Sequence, residues 1–321
     1  MNASPSRLSI AGKVFLLGEY AVLTGLPALV ATVEPRFQMK VSEAESWSSS
    51  LACWPEQAPI ARLMRWAQLQ GCAPLAFEFV DPLLGAGGLG ASTAQFAMAY
   101  HAITHRLPEE GAGAFQSSGP RRWSEVLRVY RELMRDEPIV PSGADLVAQW
   151  QGGVSFFDPS QGFVQDVWAL LGTLPFLIFS TTTQASRKVP THEHLRELAD
   201  RGILSSGSPL MQSLRNHLMQ AMNALEERDY RTFAQAFSNY GNTLGQYDLE
   251  TQATREDKKV LSHLPHVLAV KGAGALQSDV ILVLMEPGAP HHDQVIETAQ
   301  ARGLKLIADG LTCQMGVTCQ A

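Results

Sequence analysis

The chain has 321 residues, 45% of them apolar and 17% charged, and its 25 Lys and Arg against 31 Asp and Glu leave a formal net charge of −6. That length suits two domains or one large one, and that apolar fraction excludes a disordered chain. The acidic balance excludes a global basic field for nucleic acid, while a local basic pocket for an anionic small molecule stays allowed. In chain order, alternating apolar residues predict strands at 7–11, 13–17, 27–33 and 37–41, with turns at Gly12, Gly18, Gly25 to Pro27, and Pro35. Another strand is expected at 75–80, then a glycine-rich turn and a helix from Ala94 to about His105. A loop over 108–120 precedes a helix from Trp123 to Met134 and a short helix from Pro141 to Trp150. A strand at 154–157 follows, and the style of the chain changes near 165–175. Beyond it come a strand at 174–179 and helices near 192–201, 208–228 and 230–247. Strands at 266–270 and 279–285, a helix near 292–302 and a strand at 304–307 complete the series. A boundary near Asp166 gives domains of 1–166 and 167–321.

Cys53, Cys72, Cys313 and Cys319 form no C-x-x-C pair and read as reduced thiols. The run Val14 to Leu17 is too short for a signal sequence, and no stretch reaches the ~20 apolar residues of a membrane span. A cytoplasmic protein without membrane or nucleic-acid partners is expected.

Three glycine segments carry the chemistry. Gly85-Ala-Gly-Gly-Leu-Gly90 matches G-x-G-x-x-G between a strand and a helix, so a Rossmann-type oxidoreductase is one reading. Against it, Glu109 and Glu110 stand at the right distance for the ribose-binding acid but with no strand before them. A phosphate cradle needs less, because glycine amides ahead of Ser92 would point N–H groups and a positive helix end at an anion. A steric turn is the bland alternative. The first segment, Gly12-Lys13 to Val30, reads by itself as a hairpin, with Lys13 and Glu19 as edge charges. The third, Lys271-Gly-Ala-Gly-Ala275, reads as a hairpin loop.

Taken in this order, the segments resemble the signature of the GHMP kinases, the galactokinase, homoserine, mevalonate and phosphomevalonate kinase superfamily. Gly12-Lys13 to Val30 resembles G-K-x-x-L-x-G-E-[HY]-x-V-x-x-G-x-P-A, and Gly88-Leu-Gly-Ala-Ser-Thr-Ala94 resembles G-L-G-S-S-A-A. Lys271-Gly-Ala-Gly-Ala275 resembles G-A-G-G-G, and Pro141-Ser-Gly-Ala-Asp145 matches the P-S-G-x-D of the mevalonate branch. The chain departs from the pattern at Ala91, in place of the first serine, and at Ala275 to Gln277, in place of later glycines.

The resemblance implies an α+β fold, with an N-terminal domain like ribosomal protein S5 domain 2, a ferredoxin-like C-terminal domain, and ATP between them. It implies that Gly85, Gly87, Gly88, Leu89, Gly90, Ala91 and Ser92 cradle the nucleotide, and that Ser92 and a carboxylate hold Mg²⁺. Glu137 is the best-placed carboxylate, with Asp136 and Glu132 competing. Asp145 and Lys13 are implied as catalytic, and Lys13, Glu19, Tyr20, Ser142 and Gly274 as contacts to the acceptor. Gly-Glu-Tyr at 18–20, Leu146 and Asp279 lean toward phosphomevalonate kinases over mevalonate kinases. Arg187 and Lys188, in a segment resembling T-G-x-x-A-S-T, would then pair with the acceptor's phosphate. A homodimer is the one assembly expected. A non-catalytic GHMP-fold binding protein is the competing class, motivated by Ala91 and the altered third segment.

Overall fold

The computed structural model describes residues 6–83, 87–105, 122–181, 191–274, 280–289, 292–314 and 316–320. β1 (Ser6–Leu17) and β2 (Ala28–Glu43) form a long antiparallel hairpin, in register from Ser6 opposite Val41 to Leu17 opposite Leu29. The four short strands expected here are thus two long ones. Register shifts between Ile10 and Gly12 and between Phe15 and Leu17 let the ladder run through Gly12 rather than stop there. β2 pairs at its start with β4 (Val154–Asp158), which pairs with β5 (Phe163–Asp166), and at its end with β3 (Leu75–Val80). β10 (Thr318–Gln320) brings the chain's end back to β1, Arg7 opposite Gln320.

A second antiparallel sheet has the order β7 (Val267–Ala273), β8 (Val280–Met285), β6 (Phe176–Thr181), β9 (Leu304–Asp309). Val280 to Met285 is buried at every position, because the sheet is covered on both faces. One face, through Phe176, Ile178, Leu282 and Leu284, joins the main core with α8 (Pro209–Glu226) and α9 (Tyr230–Gln246). The other packs Leu177, Phe179, Ile281 and Val283 against α10 (Gln252–Leu261) and α11 (Asp293–Ala301). The main core runs on into the β1–β2 sheet through Leu8, Ile10, Val14 and Leu16, so both sheets share one apolar interior.

The helices that follow Gly90 and Gly143 lie on the first sheet. α3 (Ala91–Thr104) is buried nearly all round, as its Ala-rich sequence allows. α4 (Trp123–Leu133) and α5 (Ala144–Gln151) follow, with the expected 108–120 loop outside the described residues. α7 (Thr191–Asp200) is the expected helix near 192–201. The sequence reading passed over α1 (Trp47–Leu51), α2 (Pro59–Leu69), α6 (Trp168–Leu171) and α10. For α2 the signal was present, with Pro59 in the first turn and Ile60, Leu63, Met64 and Ala67 on one buried stripe. Among the described residues no helix is long and apolar enough to cross a membrane.

Candidate active site

β1 delivers Lys13 to a nearly solvent-free position, 6% exposed. Its backbone N–H donates to the carbonyl of Leu89 at 3.0 Å and its ammonium to that of Gly88 at 2.9 Å. The ammonium also lies 4.7 Å from the centroid of the Phe15 ring. One lysine thus fastens the glycine turn to the strand. Gly90 closes that turn at φ +85°, where a Cβ would stand 2.9 Å from Lys13 Cγ and 3.1 Å from Gln149 Nε2. The helical amides of α3 begin immediately after, at Ala91 and Ser92. The first four N–H groups of a helix have no partner within it, so the amides from Gly90 to Thr93 make no hydrogen bond inside α3. Gly85 lies outside the described residues.

Gln149, wholly buried, braces the glycine turn from beneath. Its amide donates to Ala11 O at 2.8 Å, and its carbonyl accepts from the Thr93 hydroxyl at 2.6 Å, joining β1, α3 and α5. Sequence reasoning did not single it out, although it sits one turn beyond Asp145 on the same helix face. Gln149→Leu is expected to strand the buried Ala11 carbonyl, while the Thr93 hydroxyl still donates to Gly90 O at 3.0 Å, costing about 1–3 kcal/mol of stability. Denaturant titration of the purified variant checks this, and a midpoint equal to the parent's would refute it.

α5 presents the aspartate. Its N-terminal cap is Gly143 at φ +75°, not Asp145. Asp145 lies in the first turn, with Oδ1 accepting from Leu146 N–H at 3.0 Å. The carbonyl of Ser142 accepts from Arg131 Nη2 at 2.6 Å, which fixes the approach to the helix. Glu137 is ion-paired with Arg62, both partly buried. Tyr130, which sequence reasoning missed, stands beside both carboxyl groups. Burial first, then the charges of Asp145 and Glu137, push its phenol far above the ordinary value, so it remains a hydrogen-bond donor.

The β1–β2 turn supplies the opposite wall. Gly18, at φ +101°, leaves no room for a side chain, and Tyr20 holds φ +62°. The Tyr240 hydroxyl donates to the Glu19 carbonyl at 2.9 Å, and the Glu19 carboxylate pairs with Lys271 of β7. The Tyr20 hydroxyl and His194 Nε2 of α7 lie 3.4 Å apart.

These elements enclose a cavity of about 450 Å³. Lys13, Glu19, Tyr20, Ser92, Glu137, Ser142 and Asp145, all singled out in the sequence, line it together, and so do Tyr130 and Leu195. Gly274 ends near β7 at φ +117° and is not among the lining residues. Arg187, Lys188 and Asp279 lie outside the described residues.

No family model matches the chain, and no curated protein matches it. Solved structures do match. Streptococcus pneumoniae phosphomevalonate kinase, in complex with phosphomevalonate and AMPPNP, is 14% identical at a TM-score of 0.73, over 95% of this chain and 99% of that one. Methanococcus jannaschii mevalonate kinase is 12% identical at a TM-score of 0.73, over 97% and 99%. Lactococcus lactis galactokinase, complexed with galactose, is 12% identical at a TM-score of 0.68, over 98% and 96%. From β1 to the returning β10, the chain has the fold of the GHMP kinases.

Proposed function

We propose that the chain is an ATP-dependent small-molecule kinase of the GHMP type, with phosphomevalonate as acceptor. The observation that carries this reading is the single cavity into which Lys13, Ser92 and Asp145, from three separate motifs, all face. A relic that only binds a ligand has no need of that combination.

Phosphoryl transfer asks for positioning and for neutralisation of spreading negative charge. In this reading the amides of Gly87 to Ser92 hold the ATP phosphates. The Lys13 ammonium offsets charge on the transferring group. Asp145 accepts the proton of a hydroxyl acceptor, or orients a phosphate acceptor that is already ionised. Tyr130, held protonated, donates at the same wall. Ser92 and Glu137 offer hard oxygens at one cavity, which suits Mg²⁺ carried in with phosphate oxygens. Among the described residues no three His, Cys, Asp or Glu gather as a resident metal site. When bound, Mg²⁺ would supply neutralisation of phosphate charge.

For the acceptor, Arg187 and Lys188 are proposed to pair with its phosphate. The stretch that carries them leads directly into α7, whose Leu195 lines the cavity and whose His194 meets Tyr20. Mevalonate is the second reading, because the mevalonate kinase fold matches as closely as the phosphomevalonate kinase fold.

The test is ADP release with phosphomevalonate, mevalonate, galactose and homoserine in parallel, beside thermal shifts with Mg-ATP and NAD(H). Phosphomevalonate is expected to turn over fastest, and Arg187→Ala or Lys188→Ala to raise KM for it far more than for mevalonate. Mg-ATP at 100 times its Kd should add about 2.7 kcal/mol of stability. Stabilisation by NAD(H) alone would restore the dinucleotide reading, and turnover of mevalonate alone would remove the phosphate-acceptor reading.

A further inference from the structure

Behind the Glu19 wall lies a row of buried charges. Glu19 comes from the β1–β2 turn and Lys271 from the middle of β7, 252 residues later, and both are buried. Behind them Lys258 of α10 donates to both carboxylate oxygens of Glu250, at 2.7 and 2.9 Å, again buried. The lysines are neighbours across Gly241 of α9. A Cβ there would stand 2.9 Å from Lys271 Cγ and 3.3 Å from Lys258 Nζ. Mid-helix, alanine is the better helix former, so this glycine marks the close approach that the row requires.

The sign alternates along Glu19, Lys271, Glu250 and Lys258. The inner end is in the wall of the catalytic cavity, and the outer end is in the wall of a second cavity of about 560 Å³. Four buried charges are a poor way to gain stability, since well-packed apolar residues of the same volume do as well or better. The use of such a row is to be sought where its charge meets a ligand. At the inner end, Glu19 Oε1 takes the Lys271 ammonium, while Glu19 Oε2 is buried with no hydrogen-bond partner. A buried acceptor left this way is costly unless a donor arrives.

We propose that Lys271 is a positioning residue. Its ammonium on Oε1 holds the Glu19 carboxyl group in place, so that Oε2 accepts a hydrogen bond from a hydroxyl of the acceptor substrate. This rests on the kinase reading above. Burial alone pushes the Glu19 carboxyl up and the Lys271 ammonium down, and each opposes the other's shift by its charge. The groups that face Glu19 are Lys271 on β7, Tyr240 on α9, Glu250 and Lys258 behind them, and Tyr20 with His194 of α7 beyond it. Without Lys271, the charge and the hydrogen bond that oppose burial are lost, and the Glu19 carboxyl is pushed further up.

The experiment is a double-mutant cycle over Glu19→Gln and Lys271→Met, with kcat and both KM values measured across pH. Lys271→Met is expected to raise the acceptor KM ~10-fold, leave the ATP KM within ~2-fold, and move the acidic limb of kcat/KM upward in pH. Because Lys271 acts through Glu19, the double variant should lose no more than Glu19→Gln alone. A double-variant loss equal to the product of the two single losses overturns the proposal, and so does an equal rise in both KM values. Should Lys271→Met not fold, Lys271→Arg keeps the charge and must retain the acidic limb while raising the acceptor KM. An unchanged KM there also overturns it.

Failure of the kinase reading shows separately, as a parent that turns over no acceptor in the panel. The row is then read by melting. A carboxyl raised in the folded state makes stability fall as pH rises from the ordinary carboxylate value to the raised one. Lys271→Met should move that fall to higher pH, and the double variant should abolish it. A fall that stays in place in both variants overturns the role of Lys271 whatever the enzyme does.

Discussion

Asp145→Asn is expected to fold like the parent and to lose ~10²–10⁴-fold in kcat with a hydroxyl acceptor, while Mg-ATP binding is kept. The structure sharpens this contrast. The helix cap is Gly143, so Asp145 contributes to stability only as a first-turn anion and through the short contact to Leu146 N–H. Such an anion is worth about 0.3–1 kcal/mol at a helix N-terminus, and Asn retains the hydrogen-bond acceptor. Asn cannot take a proton and brings no charge to the wall it shares with Lys13. With a phosphate acceptor the loss is smaller, because the attacking oxygen is already ionised. The measurement is kcat for the best acceptor beside a melting curve. Comparable turnover by a variant that melts like the parent would leave Asp145 a structural residue and remove it from the site.

Gly18→Ala is expected to have the largest effect on the fold itself. At φ +101° an L side chain is strained by about 1–3 kcal/mol. Here the new Cβ would also stand 2.4 Å from Ala28 Cα and 2.8 Å from Pro27 O, which are backbone atoms of the facing chain. Neither can rotate away, so the start of β2 must move, and a loss on the order of 4 kcal/mol follows. Gly25→Ala is the control within the same turn. Its φ is +87° but nothing lies within 4 Å of the Cβ position, so only the backbone term remains, about 1–2 kcal/mol. Urea midpoints of the two variants check the difference. Equal midpoints would show that the hairpin adapts and that Gly18 is not sterically required.

Much of the element order was legible because it rests on local pattern. The spacing of apolar residues in α8 and α9 follows the 3.6 period over 18 and 17 residues, long enough to outweigh weak propensities. α10 was not legible, since its sequence QATREDKKVL is mostly polar. Its stability comes from the Thr251 side chain accepting from Thr254 N–H and from Leu261 entering the core of the second sheet. β10 is three residues long, and only the β1 edge beside it makes it a strand.

The candidate site divides along the same line. From sequence alone came the proposed site residues Lys13, Ser92 and Asp145, through motif spacing, and Glu137, as the best-placed carboxylate ahead of Pro141-Ser-Gly. That they share one cavity is a tertiary fact. So are the partners that sequence gave no reason to name. Gln149 ties three elements together, Tyr130 is held protonated by burial between two carboxyl groups, Arg62 engages Glu137, and Lys271 engages Glu19. Local spacing cannot reveal such pairs, because they join residues up to 252 positions apart. Buried charges and amides are satisfied by whatever the packed chain brings near them, and that is decided only when the two sheets close on one core.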